Sequence, residues 1–459
     1  MEREKFSSRL GFILISAGCA IGLGNVYRFP IWCGAYGGGV FLLFYILFLI
    51  IFGMPIMTME LAVGRASRAS IANSFDVLEK PGQKWHLWKY AGIGGNYLLM
   101  AFYAVIAGWF CIYFWRYLDG SMLAVGETVD IGVFVEMITD GKLNYLVGIG
   151  VVIAGFAVCA LGLQKGVEKV TKFMMIALFV LMIGLAVYAC TMPGVKQALK
   201  FYLVPDWQRA KEYGLGKVIN AAMTQTFFTL SLGIGSIAIF GSYIDKDRSL
   251  LGEGLTIILL DTLVALIAGF IIFPAYFTFN PTAEVIGADA AGATFLFTTL
   301  SSIFNNMAGG RIIGSLFFLF MIFAAMSTVI AVFENIVSFW LEDTKLDRKK
   351  TVLINFAIFL VIIIPFVLDN CGIGVFTKKI WLGKGFGDFE DFLVSNVALP
   401  VGCLVYTLFC SHSFGWGWDN FINEVDQGTG LKFPKWSKPY IKWIMPVLLL
   451  VVVFLFVFG

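Results

Sequence analysis

Two apolar stretches of the sequence carry glycines and small polar residues at a density that regular helices avoid. The first runs from Gly18 to Asn25, with three glycines in seven residues, and the second runs from Thr229 to Ser236. Each interior glycine costs a helix about 1 kcal/mol relative to alanine, so we expect unwound backbone at both places. Such backbone offers free carbonyl oxygens to a cation, and the amides of a half-helix N-terminus can bind a carboxylate. The predicted chemistry is therefore binding of an ionised small molecule together with a cation.

Side chains that commonly catalyse reactions or bind transition metals are too dispersed to form a site. The eight cysteines include no CxxC pair, so neither a disulfide framework nor a cysteine metal site is indicated. His86 and His412 lie far apart, without a neighbouring cluster of cysteines and acids. Basic runs with interleaved aromatic residues are missing too, so we predict no nucleic-acid partner. The sequence indicates a protein that is not an enzyme.

The elements that hold the two stretches must be membrane helices, because the composition exceeds what a soluble core can bury. Hydrophobic residues make up 59% of the 459 residues and charged residues 14%, whereas soluble domains average about 45–50% and 25%. The mean hydropathy is +0.85. A helix needs about 20 apolar residues to cross a bilayer. Eleven segments qualify, at roughly 10–35, 40–63, 91–117, 145–163, 173–192, 217–243, 255–279, 311–340, 351–368, 392–411 and 440–458.

The predicted fold class is an all-α membrane protein with about 11 transmembrane helices in one domain, residues 1–459. The two glycine-rich stretches fall in spans 1 and 6. Many secondary transporters consist of two inverted repeats in which discontinuous helices hold the binding site near the bilayer midplane. This interpretation gives repeat one at about 10–192, repeat two at about 217–411 and an extra helix at about 440–458. The residues alone leave open the alternative that the glycines only let helices pack closely.

Lysine and arginine residues in the loops predict the orientation in the membrane. With the N-terminus in the cytoplasm, about 20 of the 33 basic residues lie inside, the side that positive loops favour. An odd number of spans then places the C-terminus outside.

Two long motifs resemble those of a known family. The stretch from Arg9 to Pro30, which includes Gly22-Leu-Gly-Asn-Val-Tyr-Arg-Phe-Pro, is similar to the first-helix signature of the neurotransmitter:sodium symporter family. The stretch from Gln225 to Gly235 is similar to its sixth-helix signature, and the resemblance covers essentially the whole chain. Eleven helices resemble the bacterial members that carry aromatic or large apolar amino acids. The resemblance implies the leucine-transporter fold, the bacterial inner membrane, sodium-coupled symport by alternating access, and a monomer or weak homodimer.

The resemblance also implies two sodium sites beside the unwound stretches. Site one would combine the substrate carboxylate with the Ala20 carbonyl, Asn25, Thr229 and Asp261. Site two would combine the carbonyls of Gly18, Ile21 and Ala324 with the hydroxyls of Ser327 and Thr328. Oxygen ligands suit hard cations. By the same resemblance, animal members of the family have an asparagine at the position of Asp261 and bind chloride. A fixed carboxylate at this position therefore predicts chloride-independent transport.

The substrate would lie between the two unwound stretches. The implied lining is Cys19, Ala20, Leu23, Gly24, Leu99, Tyr103, Phe228, Thr229, Ser231, Ile234, Thr328 and Val332. The Leu23 and Gly24 amides and the Tyr103 hydroxyl would meet the carboxylate. The lining is otherwise mostly apolar, which favours an apolar or aromatic amino acid.

Ionisable residues near the ends of the spans are candidates for gates. The resemblance implies an outer gate of Arg28, Gln225 and Asp391 and an inner gate of Arg3, Tyr243, Glu342 and Asp343. Which of the two inner acids pairs with Arg3 stays open. A non-transporting sensor of the same fold and a channel are the alternative functions. Channels usually show repeated pore loops or rings of like side chains, and this sequence shows neither.

Overall fold

The computed structural model describes residues 6, 8–283, 294–380 and 382–458. Regular structure in these ranges is helical, without a strand, and one isolated bridge pairs Arg248 with Thr429. Arg3, a predicted member of the inner gate, lies outside the described residues.

Thirteen helical segments in the described ranges build the membrane domain. They are α1 (Arg9–Ala20), α2 (Gly24–Ala35), α3 (Gly39–Ser67), α4 (Trp85–Leu118), α5 (Gly141–Ala160), α6 (Leu163–Ala189), α7 (Leu215–Thr229), α8 (Ala238–Gly241), α9 (Leu250–Phe279), α10 (Gly310–Thr344), α11 (Arg348–Asn370), α12 (Phe386–Ser411) and α13 (Lys435–Phe456). Shorter helices lie in the connections: Ser74–Leu78, Ile131–Thr139, Val195–Leu203, Trp207–Tyr213, Phe295–Asn305 and Trp418–Val425.

Nine of these segments, counted over the described part of the chain, are each long and apolar enough to cross a bilayer: α3 to α6 and α9 to α13. The pair α1 and α2 passes the same test as one span bent by 53°. The sixth predicted span consists of α7 and α8 on either side of residues 230–237, which are not helical. The all-α membrane fold is confirmed, and the glycine-rich first and sixth spans are the two that are interrupted most sharply.

The first break separates α1 from α2. Ile21 ends α1 in an extended conformation (φ −70°, ψ 100°) while its N–H still bonds to the Ala17 carbonyl. The chain becomes helical again with a π-helical turn over Gly24–Arg28. A Cβ at Gly22 would collide with the Thr328 hydroxyl. Glycine is therefore required for α10 to approach the break this closely.

The second break relies on backbone conformations that glycine adopts without strain. Gly233 and Gly235 have φ of +96° and +78°, in the left-handed region that other residues avoid. A Cβ at Gly233 would collide with the Leu399 carbonyl, and a Cβ at Gly402 would collide with the Gly233 carbonyl. The second break therefore packs backbone against backbone on α12.

Continuous helices surround both breaks. The longest, α10, spans 35 residues and packs most extensively on α4, with further contacts to α6 and α1. On the other side α1 and the first turn of α2 pack on α9. The breaks are therefore held between rigid elements. Unpaired backbone is tolerated at membrane depth only where it lines a cavity or is buried, and this packing meets that condition.

Candidate functional site

The two breaks meet at a small cavity of about 10 Å³, room for about one water molecule. Its lining comes from both breaks, from the ends of α1 and α2 beside the first break, and from α4, α7, α10 and α12. The lining residues are Ala20, Gly22, Gly24, Leu99, Tyr103, Phe228, Ser231, Thr328 and Leu399. Apolar side chains are combined here with hydroxyls and main-chain groups, the composition of a small-molecule site.

The first break presents an amide to the cavity side of α4. The Leu23 N–H donates to the Tyr103 hydroxyl at 3.0 Å, and Tyr103 is 2% exposed. Helix α2 begins one residue later, so its N-terminal amides and the positive end of its dipole favour a bound carboxylate. Oxygen atoms lie on the other side of the breaks, where the Ser231 hydroxyl donates to the Cys19 carbonyl at 3.5 Å.

A buried carboxylate connects both broken spans to α9. Asp261 accepts from the Asn25 side-chain amide at 2.8 Å and from the Thr229 hydroxyl at 3.2 Å. The Tyr45 hydroxyl donates at 3.5 Å to Oδ2, the same carboxylate oxygen that accepts from Thr229. Asn25, Thr229 and Asp261 are all fully buried. Carboxylate, amide and hydroxyl oxygens can together replace the hydration shell of a cation.

Two hydroxyls of α10 lie among carbonyl oxygens of the first break. The Ser327 hydroxyl is 3.1 Å from the Ile21 oxygen and 2.9 Å from the Ala324 oxygen. The Thr328 hydroxyl is 3.3 Å from the oxygens of both Gly18 and Ile21. Ligand distances of about 2.4 Å around a hard cation separate neighbouring oxygens by about 3.4 Å. This cluster is therefore close to the geometry that such a cation requires.

Arg28 lies one helical turn beyond the first break, toward the end of the span that we call upper. Its guanidinium pairs with Asp391 at 3.2 Å and donates to the Ser395 hydroxyl at 2.9 Å. It also stacks 4.1 Å from the Trp32 ring and 4.4 Å from the Phe228 ring. Because Phe228 also lines the cavity, the arginine and its partners form a lid over it.

Gln225, the third predicted residue of the outer gate, contacts the main chain of α2, whereas Asp391 contacts the Arg28 side chain. Its side-chain amide donates to the Gly24 carbonyl at 2.6 Å, which connects α7 to the start of α2. Above the lid is a vestibule of about 680 Å³, and its lining includes Tyr103, Phe228, Arg28 and Asp391. The lid therefore separates a wide upper space from the small cavity.

At the lower end, where α1 begins, several contacts close the molecule. The Tyr243 hydroxyl hydrogen-bonds to Ser338 at 3.1 Å. Glu342 accepts from the Ser70 N–H at 2.9 Å, whereas Asp343 pairs with Lys89 at 3.1 Å. The two candidate acids of the inner gate thus face different elements, Glu342 toward the loop after α3 and Asp343 toward α4.

The structure brings together most, but not all, of the predicted lining. Cys19, Thr229, Ile234 and Val332 are buried outside the cavity lining, and Leu23 lines the vestibule instead. Sequence reasoning missed Gly22 and Leu399. Leu399 lies eight residues after Asp391, about two helical turns, so extending that face of the tenth span would have found it.

Comparison with known proteins identifies relatives along the whole chain. The profile described as Sodium:neurotransmitter symporter family matches residues 3–125 and 127–458. A sodium-dependent transporter of Bacillus subtilis is 31% identical, covering 88% of this chain and 87% of the relative. A sodium-dependent transporter of Haemophilus influenzae is 28% identical, covering 98% and 97%. These relatives are transporters, which confirms that the chain is not an enzyme.

A solved structure shows the same architecture. The crystal structure of MhsT in complex with L-phenylalanine superposes with a TM-score of 0.86 at 35% identity, covering 99% of this chain and 100% of that one. The sodium-dependent serotonin transporter of Drosophila melanogaster is more distant, 25% identical over 100% of this chain and 77% of the relative.

Proposed function

Because this chain belongs to the sodium:neurotransmitter symporter family, we propose that it carries apolar or aromatic amino acids across the bacterial inner membrane together with sodium. The composition of the cavity lining between the breaks, and not the volume of the cavity in this closed conformation, is the observation that carries this proposal. Leu99, Phe228 and Leu399 share its lining with main-chain groups and hydroxyls. Fixed dipoles suit the ionised head group, and the apolar side chains suit an apolar substrate. The likeness to MhsT, solved with L-phenylalanine, supports the same substrate class.

Two sodium ions accompany the substrate in this proposal. The first binds at Asn25, Thr229, Asp261 and the Ala20 carbonyl, completed by the substrate carboxylate. The second binds between the α10 hydroxyls and the carbonyls of Gly18, Ile21 and Ala324. The buried hydrogen bonds of Asp261 and the oxygen spacing around Ser327 support these assignments. Because the first ion touches the substrate, sodium and amino acid stabilise each other, which is reciprocal coupling of two binding sites.

Transport is proposed to be independent of chloride. Two sodium ions and a zwitterion bring net positive charge into a buried site, where an opposite charge is favourable. Asp261 supplies one fixed negative charge between Tyr45 and Thr229. No mobile anion is then needed to balance the first sodium.

The two closures on either side of the cavity support a mechanism of alternating access. The lid of Arg28 and Asp391 is proposed to face the outside, and the contacts of Tyr243 and Glu342 the cytoplasm. Opening only one of them at a time exposes the cavity to one side. The N-terminus is then cytoplasmic and the C-terminus external, in agreement with the basic loops.

Uptake into proteoliposomes tests the proposal. We expect an inward sodium gradient to drive uptake of some apolar or aromatic amino acids when all twenty are compared, with potassium replacing sodium as the control. A sensor would bind an amino acid without taking it up, and a channel would carry a current that does not saturate with amino acid. Sodium binding without uptake of any amino acid would contradict the proposal.

A further inference from the structure

The side chain of Asn96 in α4 uses all of its hydrogen-bonding positions. Its amide nitrogen donates to the carbonyls of Gly92 at 2.8 Å and Ile234 at 2.9 Å. Its oxygen accepts from the Ser236 hydroxyl at 2.9 Å and the Asn335 side-chain amide at 3.1 Å. A carboxamide has two N–H donors and two lone pairs, and Asn96 is fully buried. Its orientation is therefore fixed by four partners.

Two of these four bonds reach the second break. Ile234 and Ser236 flank Gly235, whose positive φ keeps the chain out of the helix. The Ile234 carbonyl therefore has no helical partner, and an unpaired carbonyl at membrane depth is strongly unfavourable. Asn96 supplies that partner from a continuous helix, so it determines where the backbone of the break lies.

The same face of α4 also contacts the cavity and the first break. Leu99 and Tyr103 follow Asn96 by three and seven residues, the spacing of one helix face, and both line the cavity. The Tyr103 hydroxyl accepts a hydrogen bond from the Leu23 amide of the first break. Seven residues of α-helix rise by about 10 Å. The rigid helix α4 thus fixes the distance between its contact with the first break and its contact with the second break.

We propose that Asn96 is a positioning residue for substrate binding, which holds the second break at the distance from the first break that the bound amino acid requires. This inference rests on the proposed function of the cavity. Ser231 lies three residues before Ile234, so the cavity wall moves with the backbone that Asn96 holds. Without Asn96, only a fraction of the molecules holds the two breaks at the distance that binding requires. The apparent affinity for the amino acid is then the intrinsic affinity multiplied by that fraction.

The expected kinetic signature is a change in KM that exceeds the change in maximal rate, because Asn96 does not touch the substrate. In proteoliposomes, Asn96→Ala is expected to raise KM for the amino acid that the wild type carries by at least tenfold, because two bonds to the break are lost and one lost buried hydrogen bond already corresponds to up to about tenfold. Ser236→Ala removes only one of the two bonds to the break, so its KM rises less. The maximal rate of both variants stays within about threefold of wild type, since bound substrate restores the distance between the two breaks.

Asn335→Ala is the matched control, because it removes the same kind of side chain from the same cluster without removing a bond to the break. Its KM is expected to stay within about twofold of wild type. Thermal unfolding of all variants reports any general loss of stability.

Three results would overturn the inference. They are an unchanged KM in Asn96→Ala, equal rises of KM in Asn96→Ala and Asn335→Ala at equal thermal stability, and an unchanged KM in Ser236→Ala if Asn96→Ala does not fold. A wild-type protein that takes up no amino acid would overturn the proposed function and this inference together, whereas the three results above leave the proposed function intact.

Discussion

The side-chain amide of Asn25 donates to both the carboxylate of Asp261, at 2.8 Å, and its main-chain carbonyl, at 2.9 Å. The two residues are 236 positions apart in the sequence. Asn25 is the second residue of α2, which follows the first break, and Asp261 lies in the unbroken helix α9. Thr229, the last residue of α7, donates to the same carboxylate. One buried acid therefore connects both interrupted spans to a continuous helix.

Neutralising this acid tests its proposed role as sodium ligand and fixed charge. We expect Asp261→Asn to raise the sodium concentration for half-maximal uptake by at least tenfold, since a buried charge partner contributes roughly 1.5–3 kcal/mol. We also expect uptake by the variant to be stimulated by chloride. Sodium titrations of uptake with gluconate in place of chloride measure both effects.

Glu253→Gln provides the control, because it neutralises another buried acid of α9, one that pairs with Arg9 at the lower end. Its sodium dependence should resemble the wild type. A wild type that stops transporting in gluconate, or an Asp261→Asn variant with unchanged sodium dependence there, would refute the role assigned to Asp261.

Removing one α10 hydroxyl tests the second sodium site. We expect Ser327→Ala to weaken sodium binding roughly tenfold, the effect of one lost polar ligand of about 1.4 kcal/mol. Ser315→Ala is the control in the same helix, where the hydroxyl, as far as the described residues show, bonds only to the Arg311 carbonyl. Isothermal titration of sodium into detergent-solubilised protein without amino acid compares the two. Equal sodium affinity in both variants would exclude Ser327 as a ligand.

A single methyl group at Gly22 is expected to abolish substrate binding. A Cβ there would collide with the Thr328 hydroxyl and lie 2.5 Å from the Tyr103 hydroxyl, so it fills the cavity. In Gly94→Ala the added Cβ meets no atom of the described residues within 4 Å, and helix propensity should stabilise that variant by up to about 1 kcal/mol. Binding of a radiolabelled amino acid measures the difference. Wild-type affinity in Gly22→Ala would place the substrate elsewhere.

Shortening Leu399 is expected to shift the preference among amino acids toward larger side chains. The change removes a wall of the cavity and leaves room for a larger ring, worth roughly 1–3 kcal/mol in discrimination. Competition of tryptophan against leucine in uptake assays gives the ratio of kcat/KM for each variant. Leu404→Ala, five residues further along α12 and outside the cavity lining, should keep the wild-type ratio. An unchanged ratio in Leu399→Ala would remove α12 from the side-chain site.

Local composition predicted the parts of the fold that local physics controls. Glycine density gave the two breaks, because an unwound backbone depends mainly on residues within the break. The division of the chain into repeats remains a prediction. Contacts made across the bundle could not be read from one segment, since they depend on helix rotation and on where each helix ends.

The inner acids and Asn96 show this limit most clearly. Glu342 and Asp343 are neighbours with the same chemistry, and only the rotation of the last turn of α10 directs them to Ser70 and Lys89. Asn96 stands in an apolar span without any motif, and its role depends on the Ile234 carbonyl. The Ile234 carbonyl is available to Asn96 because the second break leaves it without a partner in its own helix.

Concentrative uptake tests the central claim most directly. Wild-type protein in proteoliposomes is given radiolabelled L-phenylalanine, first with an inward sodium gradient and then after a sodium ionophore has dissipated it. With the gradient, we expect the internal concentration of phenylalanine to rise above the external concentration. Without the gradient, we expect the two concentrations to become equal. If phenylalanine is not carried, the same result is expected for an apolar amino acid that is. Uptake that never exceeds equilibrium, or that is the same with potassium replacing sodium, would contradict sodium-coupled symport.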